Sequence, residues 1–269
     1  YFGLDDIGVL SPGKIADIAV IDNLEEMRVD AVFIDGKLVA HKGELLIDLP
    51  VYTYPEEVKN SVKIGPISEK DLEIRAAGPT PRVRCIKLIP DQNLSGKLEE
   101  TLRVANGAVE ADVSKDILQI ACIERYGRTG NIGKAFVKGF GMTDGAFAES
   151  VAHDAHNIIV VGTNIRDMVL AVNRVIEIGG GLAIAKRGRI LSDMRLPVGG
   201  LITDELNGHE VSKKIAELDR IAREELGCKV HAPFMHLSFL SLSTSPEWKI
   251  TDKGLIDVNN FTILPPVID

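Results

Sequence analysis

Cysteine is scarce in these 269 residues: Cys85, Cys122 and Cys228 are odd in number, scattered and never spaced C-x-x-C. That argues against a disulfide framework or a zinc knuckle and points to a reducing cytoplasm. Long apolar runs are also missing. Stretches such as residues 158–162 fall far short of the roughly 20 residues that cross a bilayer, so no membrane span is expected. Basic runs are absent as well: with 31 Lys plus Arg against 39 Asp plus Glu, a net charge of −8, no cationic stripe is available to neutralise phosphates. Nucleic acid is therefore not an expected partner. Finally, the chain opens on Tyr1 with no charged and apolar leader behind it, which reads as a cut in a longer polypeptide rather than a signal peptide.

What is present is ordinary globular composition, 45% apolar and 26% charged, in a length sufficient for one large or two smaller domains. Residues 1–50 have the grammar of antiparallel β-structure. "ADIAVID", "VDAVFIDG" and "KLVAHKGEL" are short β-rich runs between turn formers, and Asp35-Gly36 is a strong hairpin signal. Ile18, Val20, Val32 and Ile34 are expected on the buried sides of this small sheet. From 51 to 80 prolines accumulate and the pattern fades, which predicts a linker.

Residues 81–269 alternate strands and helices, an α+β or α/β domain on a mixed sheet. "RVRCIKLIP", "DILQIACIERY", "GAFAESVAH" and "NIIVVGT" read as strands and "NIGKAFVKGFG" as a short helix. Residues 165–178 carry apolar positions at helical spacing and stop at Gly179, Gly180 and Gly181. A hairpin is expected around Arg187-Gly188 and an amphipathic helix over 211–226. "QIACIERYGRTGNIGKAFVKGFG" and "NIIVVGTNIRDMVLAVNRVIEIGGG" echo one another as strand, Thr/Gly/Asn loop, helix; two such units in one sheet would bring both loops to one edge.

The densest set of chemically able side chains is "ESVAHDAHN". Glu149, Ser150, His153, Asp154, His156 and Asn157 could all hold a heterocycle or move a proton at a strand end. H-x-x-H is not the helical i, i+4 spacing of metalloproteases, and the same residues would equally satisfy backbone groups in a tight turn. In "ERYGRTGN" the backbone amides before the next element could hold an anion or a purine edge, or could simply connect two elements. "LPVGGL" and "PFMHLSFLSL" are explained by packing, and Cys122 by burial in an apolar strand.

The runs "GVLSPGKIADIAVIDN" and "VDAVFIDGKLVAHKGE" resemble the closing β-segment of the amidohydrolase superfamily, where a sandwich made from both chain ends flanks a metal-bearing (β/α)8 barrel. "ERYGRTGNIGKAFVKGFG", "SVAHDAHNIIVVGTN", "NRVIEIGGG", "LPVGGL", "PFMHLSFLSL" and "KITDKGLIDV" are similar, in this order, to the C-terminal half of bacterial and archaeal adenine deaminases. The resemblance implies hydrolysis of adenine to hypoxanthine and ammonia by a water activated on manganese or iron. Yet the chain has no H-x-H and no segment able to form the barrel, so it implies a C-terminal part that binds no metal by itself. Its partners would be adenine and the missing barrel, in a homo-oligomer. On this reading His153, Asp154 and His156 assist the chemistry and Glu149, Ser150 and Asn157 contact substrate, capping the barrel's site. A stand-alone purine-binding module and a dimerisation domain are the competing readings.

Overall fold

A computed structural model describes residues 2–268. The chain divides into two compact units, one ending at Thr53 and one beginning at Tyr54.

The first unit is a four-stranded antiparallel sheet in chain order: β1 (Ile18–Asn23), β2 (Arg28–Ile34), β3 (Lys37–His41) and β4 (Glu44–Leu45). Asp35 and Gly36, both at positive φ, make the expected two-residue turn between β2 and β3. Ala31 and Val39 are its buried apolar residues, while Val20 and Ile34, expected inward, are exposed. A single thin sheet has no second layer to cover both of its faces.

The second unit starts with two short helices, α1 (Glu56–Lys59) and α2 (Glu69–Leu72). This stretch is packed rather than free. Leu72 is fully buried, the Lys63 amide donates to the Arg125 carbonyl, and Ile67 exchanges two hydrogen bonds with the Asn173 side chain. The proline-rich segment therefore acts as a strap, because its sparse apolar residues fall where the sheet domain leaves gaps.

There follow β5 (Arg82–Leu88), β6 (Ser95–Thr101), the ribbon β7 (Val104–Ala105) and β8 (Ala108–Val109), β9 (Ile117–Ile123), β10 (Ile132–Lys138), β11 (Ala146–Glu149), β12 (Ile158–Gly162), helix α3 (Ile165–Glu177), β13 (Gly181–Lys186) and β14 (Arg189–Arg195). Helices α4 (Gly208–Glu224) and α5 (Pro233–Phe239) precede a small sheet of β15 (Trp248–Thr251), β16 (Gly254–Asp257) and β17 (Thr262–Leu264), and β18 (Val267–Ile268) pairs with β5. The main sheet runs β14-β13-β11-β12-β9-β10-β5-β18, with β6 also on β5. Only the β10–β5 pairing is parallel. The mixed sheet matches the expectation of an α+β domain.

Residues 132–138, expected to be helical, form β10. Seven residues make a marginal helix, whereas here each finds partners on two neighbouring strands. The strand-helix echo is therefore no structural repeat. β9 is buried along its whole length, which explains why its sequence lacks alternation.

Helix α3 covers one face. Asn164 caps it by accepting from the Asp167 amide, and Met168, Ala171, Val172 and Val175 form its buried stripe. The Asp167 carboxylate also accepts from the Arg187 and Gly188 amides, tying the helix start to the β13–β14 turn. The opposite face packs α4, α5 and the small sheet against Phe147, Ile159, Val161, Leu182 and Ile184. Each fully buried side chain of this size is worth about 1.5–3 kcal/mol relative to exposure.

Candidate functional site

Antiparallel pairing brings the ends of several strands to one edge of the sheet. Ile123 pairs with both Ile132 and Ile158, Glu149 with both Ile159 and Leu182, and Gly181 with Arg195. The loops 124–131 and 150–157, the glycines 179–181 and the segment 196–201 therefore share that edge. The loop 163–164, which the echo would have put beside loop 124–131, lies at the opposite end of β12.

Arg125 holds this edge together. It is 1% exposed, and its guanidinium donates to the carbonyls of His156 and Gly199, to Ser61 Oγ at 2.6 Å and to Tyr126 Oη at 3.3 Å. Gly200, at φ 71°, leaves the space that the guanidinium fills, and a Cβ there would overlap it. The Asn157 side chain accepts from the Arg125 amide at 3.4 Å and donates to Asp252, whose carboxylate also accepts from Asn131. One β15–β16 turn residue thus bridges both candidate loops.

The amide cradle expected in "ERYGRTGN" exists, but Glu124 occupies it. Its carboxylate accepts from the amides of Tyr126, Arg128, Thr129 and Gly130 at 2.7 to 3.3 Å. Burial works to raise this carboxyl, yet the backbone donors outweigh it and hold it below the ordinary glutamate range.

Of the six candidate residues, five lie in the loop 150–157 and Glu149 ends β11. Ser150 is fully buried, its hydroxyl bonding the Gly200 carbonyl at 2.7 Å and the Gly181 amide at 2.8 Å, so it braces the edge. Asn157 is buried in the bridge just described. His153 is half-buried; its ring stacks on Phe239 with centroids 5.3 Å apart and meets the His156 ring edge-on at 5.7 Å. Ser241 Oγ donates to the His153 carbonyl at 2.7 Å, and the His153 amide reaches the Ser238 carbonyl, so α5 and its end position this residue. Asp154 is exposed at the loop tip. His156 adopts φ 50°, and burial, then His153 and Arg125, hold its imidazole below the usual histidine range. Glu149, at the end of β11, lines a cavity beneath α4 and α5.

Residues 92–262, well over half of the chain, match the family described as the adenine deaminase C-terminal domain. The chain belongs to that family. Over 267 residues it is 64% identical to "Adenine deaminase 1" of Carboxydothermus hydrogenoformans, which covers 99% of this chain and 44% of that protein. It is 42% identical to the adenine deaminase of Kosmotoga olearia and 41% identical to that of Desulforamulus reducens, over 98% and 100% of the chain and 45% and 46% of those proteins. The chain thus spans less than half the length of these curated relatives.

The adenine deaminase C-terminal domain match contains Arg125, loop 150–157 and Asp252, while Ser61 on the strap lies before it. Among the described residues, no group of three or more His, Cys, Asp and Glu side chains is placed to hold a metal ion. His153 and His156 gain no third ligand, and the donor set does not fit manganese or iron. Arg125 and Asp252 were not found by sequence reading. Both sat in quoted motifs, but their value comes from partners more than 30 and more than 90 residues away. No helix among the described residues is long and apolar enough to cross a membrane.

Proposed function

We propose that this chain is the C-terminal part of an adenine deaminase, an enzyme that hydrolyses adenine to hypoxanthine and ammonia. The observation that carries this reading is the relationship to proteins named adenine deaminase along practically the whole chain, up to 64% identity. Hydrolytic deamination needs an activated water, a proton for the ring and a proton for the departing amine. A coordinated manganese or iron would belong to the portion of the parent outside these residues, since the donors here form no ligand set.

What this chain offers is polar contact and proton transfer from the loop 150–157. His156 is kept neutral around pH 7 and can accept a proton, and Asp154 stands exposed at the tip. The fixed backbone of His153, held by Ser238 and Ser241, suits a group that must present its ring at one angle. We assign His153, Asp154 and His156 to the face turned toward adenine in the parent barrel. Glu149, Ser150 and Asn157 stand behind it. The thin sheet of residues 18–45 fits one layer of a composite sandwich whose other layer comes from the rest of the parent. Exposed Leu10, Leu24 and Val51 are consistent with a surface completed by the barrel or by a second subunit. The three buried, unpaired cysteines support a cytoplasmic setting.

In the complete enzyme His153→Ala is expected to lower turnover at least about tenfold, roughly 1.4 kcal/mol of barrier. Unchanged kinetics would remove the loop from the site. This chain alone, given adenine and manganese, should release no ammonia; sustained release would overturn the division of labour.

A further inference from the structure

An apolar opening lies between the edge of the main sheet and helices α4 and α5. It is a cavity of about 440 Å³, the share of roughly fifteen waters in the liquid. Leu182 and Met194 wall it from the sheet, Ile215 from α4, and Phe234 and Met235 from α5. Two carboxyl groups interrupt this lining, Glu149 and Asp219. Glu149 is 2% exposed, and its Oε1 has no hydrogen-bond partner. Such a group is retained against its cost only where something completes it, and a well-formed apolar pocket with convergent polar groups is the ordinary shape of a ligand site.

We propose that this cavity binds a compact apolar amine, whose ammonium pairs with Glu149 and Asp219 while its hydrocarbon or aromatic body fills the apolar wall. The inference rests on the cavity alone and not on the proposed deaminase activity. An anion would meet two acids, and a purely apolar ligand would leave Glu149 Oε1 as it stands. A monocation with an apolar body satisfies both the walls and the carboxyls. The surroundings agree from every side. Of the cavity wall the sheet supplies Leu182 and Met194, the Ser238 backbone amide on α5 bonds Glu149, and Asp219 on α4 acts on it through its charge. Arg223 and His231 act on Asp219 rather than on Glu149.

Burial first, and then Asp219, push the Glu149 carboxyl well above the ordinary range, which favours its protonated form in the empty cavity. Taking up an ammonium releases that proton. Apparent affinity should therefore rise about tenfold per pH unit wherever the pH lies below the Glu149 value of the empty site.

The test is calorimetry on the full 269-residue chain with benzylamine, and with benzyl alcohol as its neutral counterpart, between about pH 5 and 7 in two buffers of different ionisation enthalpy. Benzylamine should bind with affinity that rises with pH over this range and with net release of protons. Benzyl alcohol should bind at least about tenfold more weakly and without pH dependence. Glu149→Gln, isosteric with the protonated acid and so compatible with the fold, should lower benzylamine affinity at least about tenfold. Ile215→Trp, at the partly exposed mouth, should block both probes. The proposal fails if benzyl alcohol binds as well as benzylamine, if affinity is flat with pH, or if Glu149→Gln changes nothing. It also fails if benzylamine gives no binding heat near 10 mM, about tenfold above the millimolar range of weak specific complexes.

Discussion

Replacing Arg125 by methionine removes the group that joins the strap, loop 150–157 and the 196–201 segment. Two backbone carbonyls, of His156 and Gly199, then lose their donor inside the protein. Each such orphan costs about 1–3 kcal/mol, or about 2–6 kcal/mol together. Part of this is recovered, because among the described residues no carboxylate neutralises Arg125, and the buried guanidinium is itself held below its ordinary pKa by desolvation. Methionine also fills much of the vacated volume, which keeps the cavity contribution small. The net expectation is a loss of about 3 kcal/mol. For a domain of this size that corresponds to a fall in Tm of roughly 6–12 °C. Urea unfolding followed by circular dichroism at pH 7 would measure it, and hydrogen exchange would locate it, with the His156 amide, which donates to the Ala152 carbonyl, losing protection first. Arg125→Lys should recover less than half, since one compact ammonium cannot address acceptors on three segments. A loss under about 1 kcal/mol with unchanged exchange in loop 150–157 would refute the bracing argument.

Two further substitutions probe buried charge. Glu124→Gln turns an amide NH2 toward amide donors and should cost about 1–2 kcal/mol at pH 7. Because the folded carboxyl titrates below its unfolded counterpart, this contribution is complete above about pH 4.3 and fades as pH falls further. Urea midpoints of wild type and variant should therefore draw together as the pH falls below about 4.3, and a constant gap would contradict the cradle. Lys249 is fully buried, donates to the carbonyls of Asn93 and Phe239, and is pushed down to about 8 by desolvation. Between about pH 8 and 10.4 the unfolded lysine binds more protons than the folded one, so wild-type stability should gain a rising component there. Lys249→Met should lack that component, and identical pH profiles would show that the ammonium is hydrated.

Features encoded locally were legible in the sequence. Residues 165–177 spell out α3 through apolar spacing and the glycine stop after it, and the two-residue turns at Asp35-Gly36 and Arg187-Gly188 follow from turn chemistry. β10 was not legible. Ile132, Ala135, Phe136 and Val137 fit a helical stripe as well as a strand buried on two faces, and only the neighbours β9 and β5 decide between them. The same limit governs the site. The polar types in loop 150–157 drew attention to a real edge of the sheet, yet nothing local distinguishes Ser150, which braces glycine backbone, from exposed Asp154. Glu149 was picked out as polar and near a strand end. That it lines a cavity depends on α4 and α5 docking against the sheet face.

The Glu124 cradle has one more consequence. The chain carries a concave ring of N–H dipoles of the kind that captures oxyanions, with its own tethered guest already inside. Aspartate, shorter by one methylene, would draw that guest back from the ring and leave several amide dipoles to find water instead. A single residue's reach therefore keeps the turn sealed at the same edge of the sheet that carries loop 150–157.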